Sequence, residues 1–305
     1  MSRKKQLPQW LALLLVIVLG LLLMITLLKP AKQSVSPKAS RPPVIEKSAL
    51  PEPVQPEAEQ DISVPEPVLR VNSGLALILD DVGYDLSALQ RILNLSVPVA
   101  IAVIPDAPYA RESAVLAHDH GQMVMLHLPM EPTSDKYRKR MNAYFLHEKM
   151  DRDQLRETFL KGLAEVPYVE GVNNHMGSYL TERPESMRWV MQLCRERELF
   201  FIDSKTSHKS VAADMAQAMD VPWASRQIFL DHDLDPEAMQ AAWAKAEQCL
   251  NKGYRCIVIG HPHRETVEFL EARFSGQGLS TLTPVAQLLR GGVSQPANLS
   301  SAELF

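Results

Sequence analysis

Cysteine is scarce in this 305-residue sequence, which contains only Cys194, Cys249 and Cys256. No two of them form a CxxC pair, so the sequence has neither a cysteine zinc site nor a disulfide-rich scaffold. At most one disulfide bond can form, and one thiol then remains. The chain must therefore fold around a hydrophobic core, for which its 46% hydrophobic residues suffice.

A surplus of positive charge is also missing. The first 72 residues carry 9 of the 32 Lys and Arg and 6 of the 36 Asp and Glu, which leaves 23 basic and 30 acidic residues, a net charge of −7, for residues 73–305. A nucleic-acid-binding surface requires a basic footprint. We therefore expect no nucleic-acid partner.

A long apolar run occupies the N-terminus. Residues 10–28 are 19 residues without a charged side chain, and Arg3, Lys4 and Lys5 precede them. As a helix the run is about 28 Å long, close to the ~30 Å hydrocarbon core of a bilayer. A cleaved signal peptide is the alternative, but the run exceeds a usual signal core and no small-residue cleavage site precedes Pro30. We expect residues 1–29 to be a single-pass anchor in the inner (cytoplasmic) membrane, with the remainder in the periplasm or outside the cell.

Residues 30–72 have the composition of a linker. They hold nine of the 22 prolines, no glycine and no aromatic residue. Such a segment buries little apolar surface, and its prolines favour extended polyproline conformations. We expect a semi-rigid tether here. Residues 291–305 show no periodicity and are expected to form a flexible tail.

Between these segments, short apolar runs alternate with amphipathic helical stretches. The predicted strands are residues 75–79, 97–104, 123–128, 168–174, 199–202, 227–230 and 254–259. The predicted helices are residues 86–95, 108–119, 152–166, 184–198, 209–219 and 236–252. Most of the strand runs are apolar on both faces, which is typical of buried parallel strands. This alternation favours a closed or nearly closed (β/α) barrel of about seven units over residues 73–290. An open doubly wound sheet is the alternative, but no Gly-rich phosphate loop follows the first strand.

Six of the seven predicted strands end in an acid-base or metal-ligating residue, and these are Asp80 with Asp81, His127, His175, Asp203, Asp231 and His261. Active sites of such barrels lie at the C-terminal ends of the strands. Adjacent carboxylates point to opposite sides of a strand, so we expect one Asp to bind a cation and the other to act as a base. A turn and helix-cap pair is the alternative. One Asp with two His is a common environment for Zn²⁺.

Five motifs carry a resemblance to a known family, and they are LALILDDVGYD, MVMLHLPMEP, GVNNHMGS, LFFIDSKTS and IVIGHPHRET. Together they resemble the divergent polysaccharide deacetylase family, which is distantly related to carbohydrate esterases with the chitooligosaccharide deacetylase fold. The resemblance covers residues 74–290. It implies a deformed (β/α) barrel and a metal-dependent N- or O-deacetylase. By this resemblance Asp80 is the base, Asp81 and His127 are metal ligands, and His261 is the general acid.

Two departures from the usual pattern bear on the metal site. A second histidine is expected four residues after His127, and this position is Glu131. An expected segment with Arg and Pro is replaced by the sequence NNHMG, which contains His175. Either Glu131 or His175 must supply the missing ligand. We favour His175, because Pro129 makes the intervening stretch non-helical and imidazole better matches the lost donor.

Four further residues are pocket candidates, namely Asn174, Asp203, Asp231 and His263. Asp203 either orients His261 or another imidazole, or forms a turn. Asp231 belongs either to the pocket wall or to the start of the following helix. His263 is a second candidate for the role of His261. The expected cofactor is a divalent metal, for which Zn²⁺ fits best.

Three classes of function agree with these residues. The first is a membrane-tethered, metal-dependent deacetylase acting on an acetylated carbohydrate polymer or oligosaccharide of the envelope. The second is a non-catalytic glycan- or protein-binding module on the same barrel, which the missing second histidine of the usual pattern favours. The third is a metal hydrolase of another ester. The paired Asp and the strand-end His favour the first and third classes.

Overall fold

A computed structural model describes residues 73–275 and 282–291. The predicted anchor and linker, residues 1–72, lie outside these ranges, as do residues 292–305 of the predicted tail. Among the described helices, none combines the length and hydropathy that a membrane span requires.

Within the described ranges, eight parallel strands form one curved sheet. They are β1 (Gly74–Val82), β2 (Val99–Val103), β3 (Val124–Met130), β4 (Val169–Met176), β5 (Phe200–Asp203), β6 (Trp223–Ser225), β7 (Ile228–Phe229) and β8 (Arg255–Gly260). Their order in the sheet is β6-β5-β4-β3-β2-β1-β8-β7. The seven predicted strands are confirmed to within three residues. Strand β6 was missed because three residues after Pro222 give too short an apolar run.

In the described part of the chain, eight α-helices accompany the strands, and they are α1 (Leu86–Leu93), α2 (Ala110–Asp119), α3 (Asp135–Arg138), α4 (Arg152–Glu165), α5 (Pro184–Glu196), α6 (Ala212–Ala218), α7 (Pro236–Asn251) and α8 (Arg264–Phe274). The six predicted helices are confirmed to within three residues. The short helix α3 and helix α8 were not predicted. Helix α8 could have been, because Val267, Leu270 and Phe274 recur at helical spacing and are buried.

The strand order supports a barrel and excludes the open doubly wound alternative. A doubly wound sheet reverses its strand order in the middle, whereas here β8 returns to pair with β1 along six residues. No ladder joins the edge strands β6 and β7 in the described ranges. Residues 226 and 227 connect these two edges directly, so the barrel is incompletely closed at this point.

The core has two parts, one between the sheet and the helices and one inside the barrel. The buried residues inside the barrel are Ala76, Ile78, Ala100, Ala102, Met125, Phe200, Ile202, Ala224, Ile257, Ile259, Val285 and Leu288. The last two belong to a 3₁₀ helix, Val285–Leu288. Apolar side chains thus fill the interior through most of the strand length. Polar residues enter it only near the C-terminal ends of the strands.

Candidate active site

The pleat of the strands decides which polar residues enter the barrel. Interior apolar residues of three strands are Ile78, Met125 and Ile259. Residues two positions apart share a face of a strand. The next interior positions are therefore Asp80, His127 and His261. All three line one cavity of about 680 Å³ at the C-terminal end of the barrel.

Asp203 is out of phase with this pattern. Its neighbour Ile202 faces the interior, so the Asp203 side chain does not point into the barrel. Its carboxylate accepts hydrogen bonds from the Lys205 backbone N–H at 2.8 Å and from the Ser210 hydroxyl at 2.9 Å. The expectation that Asp203 orients His261 is therefore wrong. Its turn role, the other expectation, is the one observed.

The pleat alone predicts that the paired carboxylates point to opposite sides of the strand. In the structure they do not. Asp81 adopts a left-handed backbone conformation with φ 55°, and the register of β1 against β2 shifts between Leu79 and Val82. A bulge of this kind re-aims a side chain. As a result both carboxylates face His127, whose Nε2 lies 3.1 Å from Oδ1 of Asp81 and 3.7 Å from Oδ2 of Asp80.

Three potential metal ligands converge at this bulge. Oδ1 of Asp81 lies 2.9 Å from Nδ1 of His175, and this nitrogen is 3.3 Å from Nε2 of His127. One ligand atom from each of the three residues lies within 4.8 Å of the other two. Of the described residues, two groups meet this condition, and the second is Asp231, His261 and His263.

A buried amide that the sequence analysis did not select holds the first cluster. The Asn173 side-chain oxygen lies 2.8 Å from Nδ1 of His127, and its amide nitrogen donates to Oδ1 of Asp80 at 2.7 Å. Because an amide oxygen only accepts, it fixes the Nδ1–H tautomer and turns Nε2 of His127 toward Asp81. Asn173 could have been predicted from the strand alternation, since it precedes His175 by two residues on β4 and shares its face.

The neighbouring Asn174 has a different task. Its side chain accepts from the Ser204 backbone N–H at 2.9 Å and donates to the Met176 carbonyl at 2.7 Å. It therefore ties the loop after β4 to the loop after β5. It also lines the cavity, as a pocket candidate should.

Glu131 does not join the cluster. One of its carboxylate oxygens accepts from the Glu148 backbone N–H at 2.9 Å, and the other pairs with Nε of Arg138 at 3.0 Å. These contacts fix the loop that follows β3. Of the two residues that could replace the missing histidine, the structure brings His175, and not Glu131, beside Asp81 and His127.

Asp231 is the carboxylate that orients His261. It accepts from the His261 backbone N–H at 2.6 Å and from the Thr266 hydroxyl at 2.8 Å, and its other oxygen lies 3.0 Å from Nδ1 of His261. With Nδ1 bound in this way, Nε2 is the ring nitrogen left for other partners. His263 lies beside this pair, at the N-cap position immediately before α8.

The buried charges shift the titration of these groups. Burial raises the pKa of Asp80, against the opposing charges of His127 and His261. Burial alone would raise the pKa of Asp81 too, but hydrogen bonds from His127 and His175 hold it well below its usual range. Burial lowers the pKa of His127, but Asp80 and Asp81 outweigh it and raise this pKa to about 9. A cation bound at this site would therefore displace a proton.

His261 is shifted in the same sense as His127. Burial lowers the pKa of His261, but the hydrogen bond and charge of Asp231 outweigh it and raise the pKa above its ordinary value. A histidine of this kind keeps its proton to higher pH, as a proton donor requires.

Backbone strain also occurs at this cavity, which is lined by three of the six described non-glycine residues with a positive φ angle. Asp81, Met176 and Lys205 have φ angles of 55°, 53° and 51°, and all three line the cavity. Non-glycine residues in this region cost of order 1–3 kcal/mol each and cluster at functional sites. The strain and the buried polar groups thus point to the same functional region.

Fold and site together define a (β/α)-barrel protein with an Asp- and His-rich centre at its strand ends. The family model for the divergent polysaccharide deacetylases matches residues 77–289, and the chain belongs to this family. The resemblance found in the five motifs is thereby confirmed.

Two curated relatives are similar to the chain. The uncharacterized protein YibQ of Escherichia coli is 34% identical over 197 residues, which are 65% of this chain and 61% of that protein. An uncharacterized protein of Haemophilus influenzae is 34% identical over 220 residues, 72% of this chain and 76% of that protein. The match thus spans less than two thirds of the E. coli relative.

One solved structure agrees with the fold. An uncharacterized protein from Agrobacterium tumefaciens aligns with a TM-score of 0.65 at 17% identity, over 71% of this chain and 89% of that chain. A family 4 carbohydrate esterase from Streptomyces lividans, solved with acetate, aligns at a TM-score of 0.37 and 9% identity over 65% of this chain and 84% of that chain. The second similarity is too weak to bear on the site.

Proposed function

We propose that this protein is a membrane-tethered, metal-dependent deacetylase that removes acetyl groups from an envelope or extracellular carbohydrate. The observation that supports it is one cavity holding the Asp81, His127 and His175 cluster, the buried Asp80 and the oriented His261. A module that only binds glycans has no need of this set. Membership of the deacetylase family favours an acetyl group over other esters.

The residues of the cluster fit a divalent metal. Two imidazole nitrogens and one carboxylate oxygen are the donor set of many catalytic zinc sites. Asn173 orients His127 as an outer partner of a metal ligand commonly does. When bound, the cation would acidify a water molecule and stabilise the negative charge that develops on the acetyl oxygen.

The side chains supply the proton transfers. Asp80 is 2% exposed and accepts the proton of the attacking water, and its raised pKa makes it a stronger base than an ordinary carboxylate. The water oxygen bonds to the acetyl carbon, and the bond from this carbon to the sugar nitrogen or oxygen breaks. His261 donates a proton to that leaving atom.

The direct test is acetate release from a panel of N- and O-acetylated glycans, with metal content measured on the same sample. We expect release from at least one glycan and its loss on treatment with a chelator. Binding of a glycan without any release would favour the non-catalytic module instead. Hydrolysis of a non-acetyl ester alone would favour the third class.

Removal of the Asp231 charge should change the pH dependence of activity. Asp231 raises the pKa of His261, so Asp231→Asn should lower it. Since His261 must be protonated to act as the acid, activity is lost as pH rises through this pKa, and the basic limb should move to lower pH. A pH profile of kcat/KM checks this. An unmoved basic limb in a folded variant would show that His261 is not the titrating acid.

The cysteines support a location outside the cytoplasm. Cys249, near the end of α7, and Cys256, on β8, form a disulfide bond with a Cα–Cα distance of 6.1 Å. Cys194 is a free, buried thiol. Disulfide bonds persist in oxidising compartments such as the periplasm and are rare in the cytosol.

We expect residues 10–28 to anchor the chain with its N-terminus in the cytoplasm and the barrel outside. The tether of residues 30–72, if extended at ~3.1 Å per residue, would reach on the order of 100 Å from the bilayer. Protease added to spheroplasts should digest the barrel, and N-terminal sequencing should find the intact start in the membrane fraction. A protected barrel would contradict the orientation, and a soluble protein beginning near Lys29 would contradict the anchor.

A further inference from the structure

Two cationic side chains line the cavity but have no part in the proton transfers. Arg226 follows β6, and Lys205 follows β5. The cavity also contains Asp80, which accepts a hydrogen bond from Asn173, and Asp81, which contacts the imidazoles of His127 and His175. Neither cation forms an ion pair with Asp80 or Asp81 in the described ranges, although the charge of Asp80 acts on Arg226, so the two cations call for a separate explanation.

Arg226 is fixed in place by the loop after β5. Its backbone N–H donates to the Asp203 carbonyl at 2.9 Å. Its side chain donates from Nε to the Ser204 carbonyl at 2.7 Å and from Nη2 to the Lys205 carbonyl at 3.0 Å. The guanidinium also stacks 4.9 Å from the centre of the Phe229 ring. Its position is thus set before any ligand arrives, which lowers the entropic cost of binding.

This guanidinium has no carboxylate within ion-pair distance in the described ranges, although burial lowers its pKa and the charges of Asp80 and Asp203 partly offset that lowering. Within the described ranges Arg226 forms no ion pair, and its hydrogen bonds go only to backbone carbonyls. Two of its five N–H donors are used in this way, and the other three have no acceptor in the described part of the chain. Arg226 is half-buried, and none of its nitrogens is among the buried unpaired atoms of the described residues, so its free donors are open to solvent and to a ligand in the cavity. Such a ligand can supply their acceptors.

Lys205 is placed beside it at a cost in backbone strain. Its φ angle of 51° lies in the left-handed region, and its backbone N–H is held by the Asp203 side chain. Its amino group lies 3.4 Å from Oδ2 of Asp203, and its side chain remains 35% exposed. Strained backbone positions cluster at functional sites, which favours a functional role for this lysine.

We propose that Arg226 and Lys205 form a subsite for an anionic group, a carboxylate or a phosphate, carried by the acetylated sugar. This inference rests on the proposed deacetylation and specifies its substrate class as an acidic glycan. Arginine suits such a group because its donors match two oxygens at once, and lysine adds a mobile point charge. A neutral acetylated sugar would leave the free donors of Arg226 unmatched, whereas Lys205 would keep its ion pair with Asp203.

The test compares three oligosaccharides with the same acetylated backbone, of which one is neutral, one bears a carboxylate and one a phosphate monoester. The full-length protein in detergent is assayed for acetate release, and binding is measured by calorimetry. A charge-assisted hydrogen bond contributes about 10- to 100-fold, so kcat/KM for one anionic substrate should exceed that for the neutral one by at least ~10-fold. Comparison of the carboxylate-bearing and phosphate-bearing oligosaccharides identifies which anionic group the subsite prefers.

The variants separate recognition from support of the loop. Arg226→Gln should remove most of the preference, and Arg226→Lys only part of it. Arg188→Gln removes an exposed arginine of α5 that does not line the cavity, and it should leave the preference unchanged. If Arg226→Gln lowers the activity on neutral and anionic substrates by the same factor, Arg226 only supports the loop and the subsite is refuted.

The two proposals fail in different ways. Equal activity of the wild-type protein on neutral and anionic glycans would overturn the subsite and leave deacetylation standing. Binding of an anionic glycan that is lost in Arg226→Gln, with no acetate released, would support the subsite and refute deacetylation. No binding and no turnover of any anionic glycan would overturn the subsite.

Discussion

Asp80→Asn is expected to lower acetate release by roughly 10²- to 10⁴-fold, the usual contribution of a general base, and to leave metal content unchanged. The asparagine oxygen can still accept the hydrogen bond that Asn173 donates to Asp80, so the buried network should survive. The amide cannot take a proton from the attacking water. Acetate release and elemental analysis on the same preparation measure both effects.

Asp81→Asn is the matched control, because it changes the adjacent carboxylate in the same way. Asp81 belongs to the metal cluster, so this variant should lose metal together with activity. A variant Asp80→Asn that retains a substantial fraction of activity would falsify the assignment of Asp80 as the base. Loss of metal in Asp80→Asn would instead make Asp80 a ligand.

The full-length protein is expected to hold about one divalent cation per chain, and His127→Ala or His175→Ala should lose most of it. Each substitution removes one of three protein ligands, and the loss of affinity should exceed the 10- to 100-fold typical of outer partners. Binding to the folded state raises stability, by about 2.7 kcal/mol at a hundredfold excess over Kd. Added Zn²⁺ should therefore raise the Tm of the metal-free wild-type protein, and much less that of either variant.

Glu131→Gln is the control for this experiment. Glu131 lies at the position where the usual pattern has its second histidine, but its carboxylate is bound to Glu148 and Arg138. The Glu131→Gln variant should therefore keep its bound metal. Greater metal loss in Glu131→Gln than in His175→Ala would exchange their roles. No bound metal in the wild-type protein, with no thermal shift on adding Zn²⁺, would remove the metal from the proposal.

Much of the site could be predicted because its residues recur at one end of successive strands. Asp80, His127 and His261 continue the interior face of strands whose apolar pattern is clear from the sequence. Of the two alternatives left open for Asp203, the orienting role failed for the same reason in reverse, since a shift of one residue on a strand changes the face. Asn173 could have been found by applying the alternation to His175.

The family, the barrel with most of its strands, and the candidate residues of the site could all be inferred from the amino-acid sequence. These depend on local periodicity and on motifs, which need no knowledge of contacts. Tertiary packing was needed to show that both carboxylates face His127, that Asp231 holds His261, and that Arg226 hydrogen-bonds to backbone carbonyls and has no ion pair in the described ranges. The first depends on a single left-handed residue in a bulge, and the other two on contacts between strands far apart in the chain. Nothing in a linear pattern specifies such distances, because packing fixes them after the strands have formed.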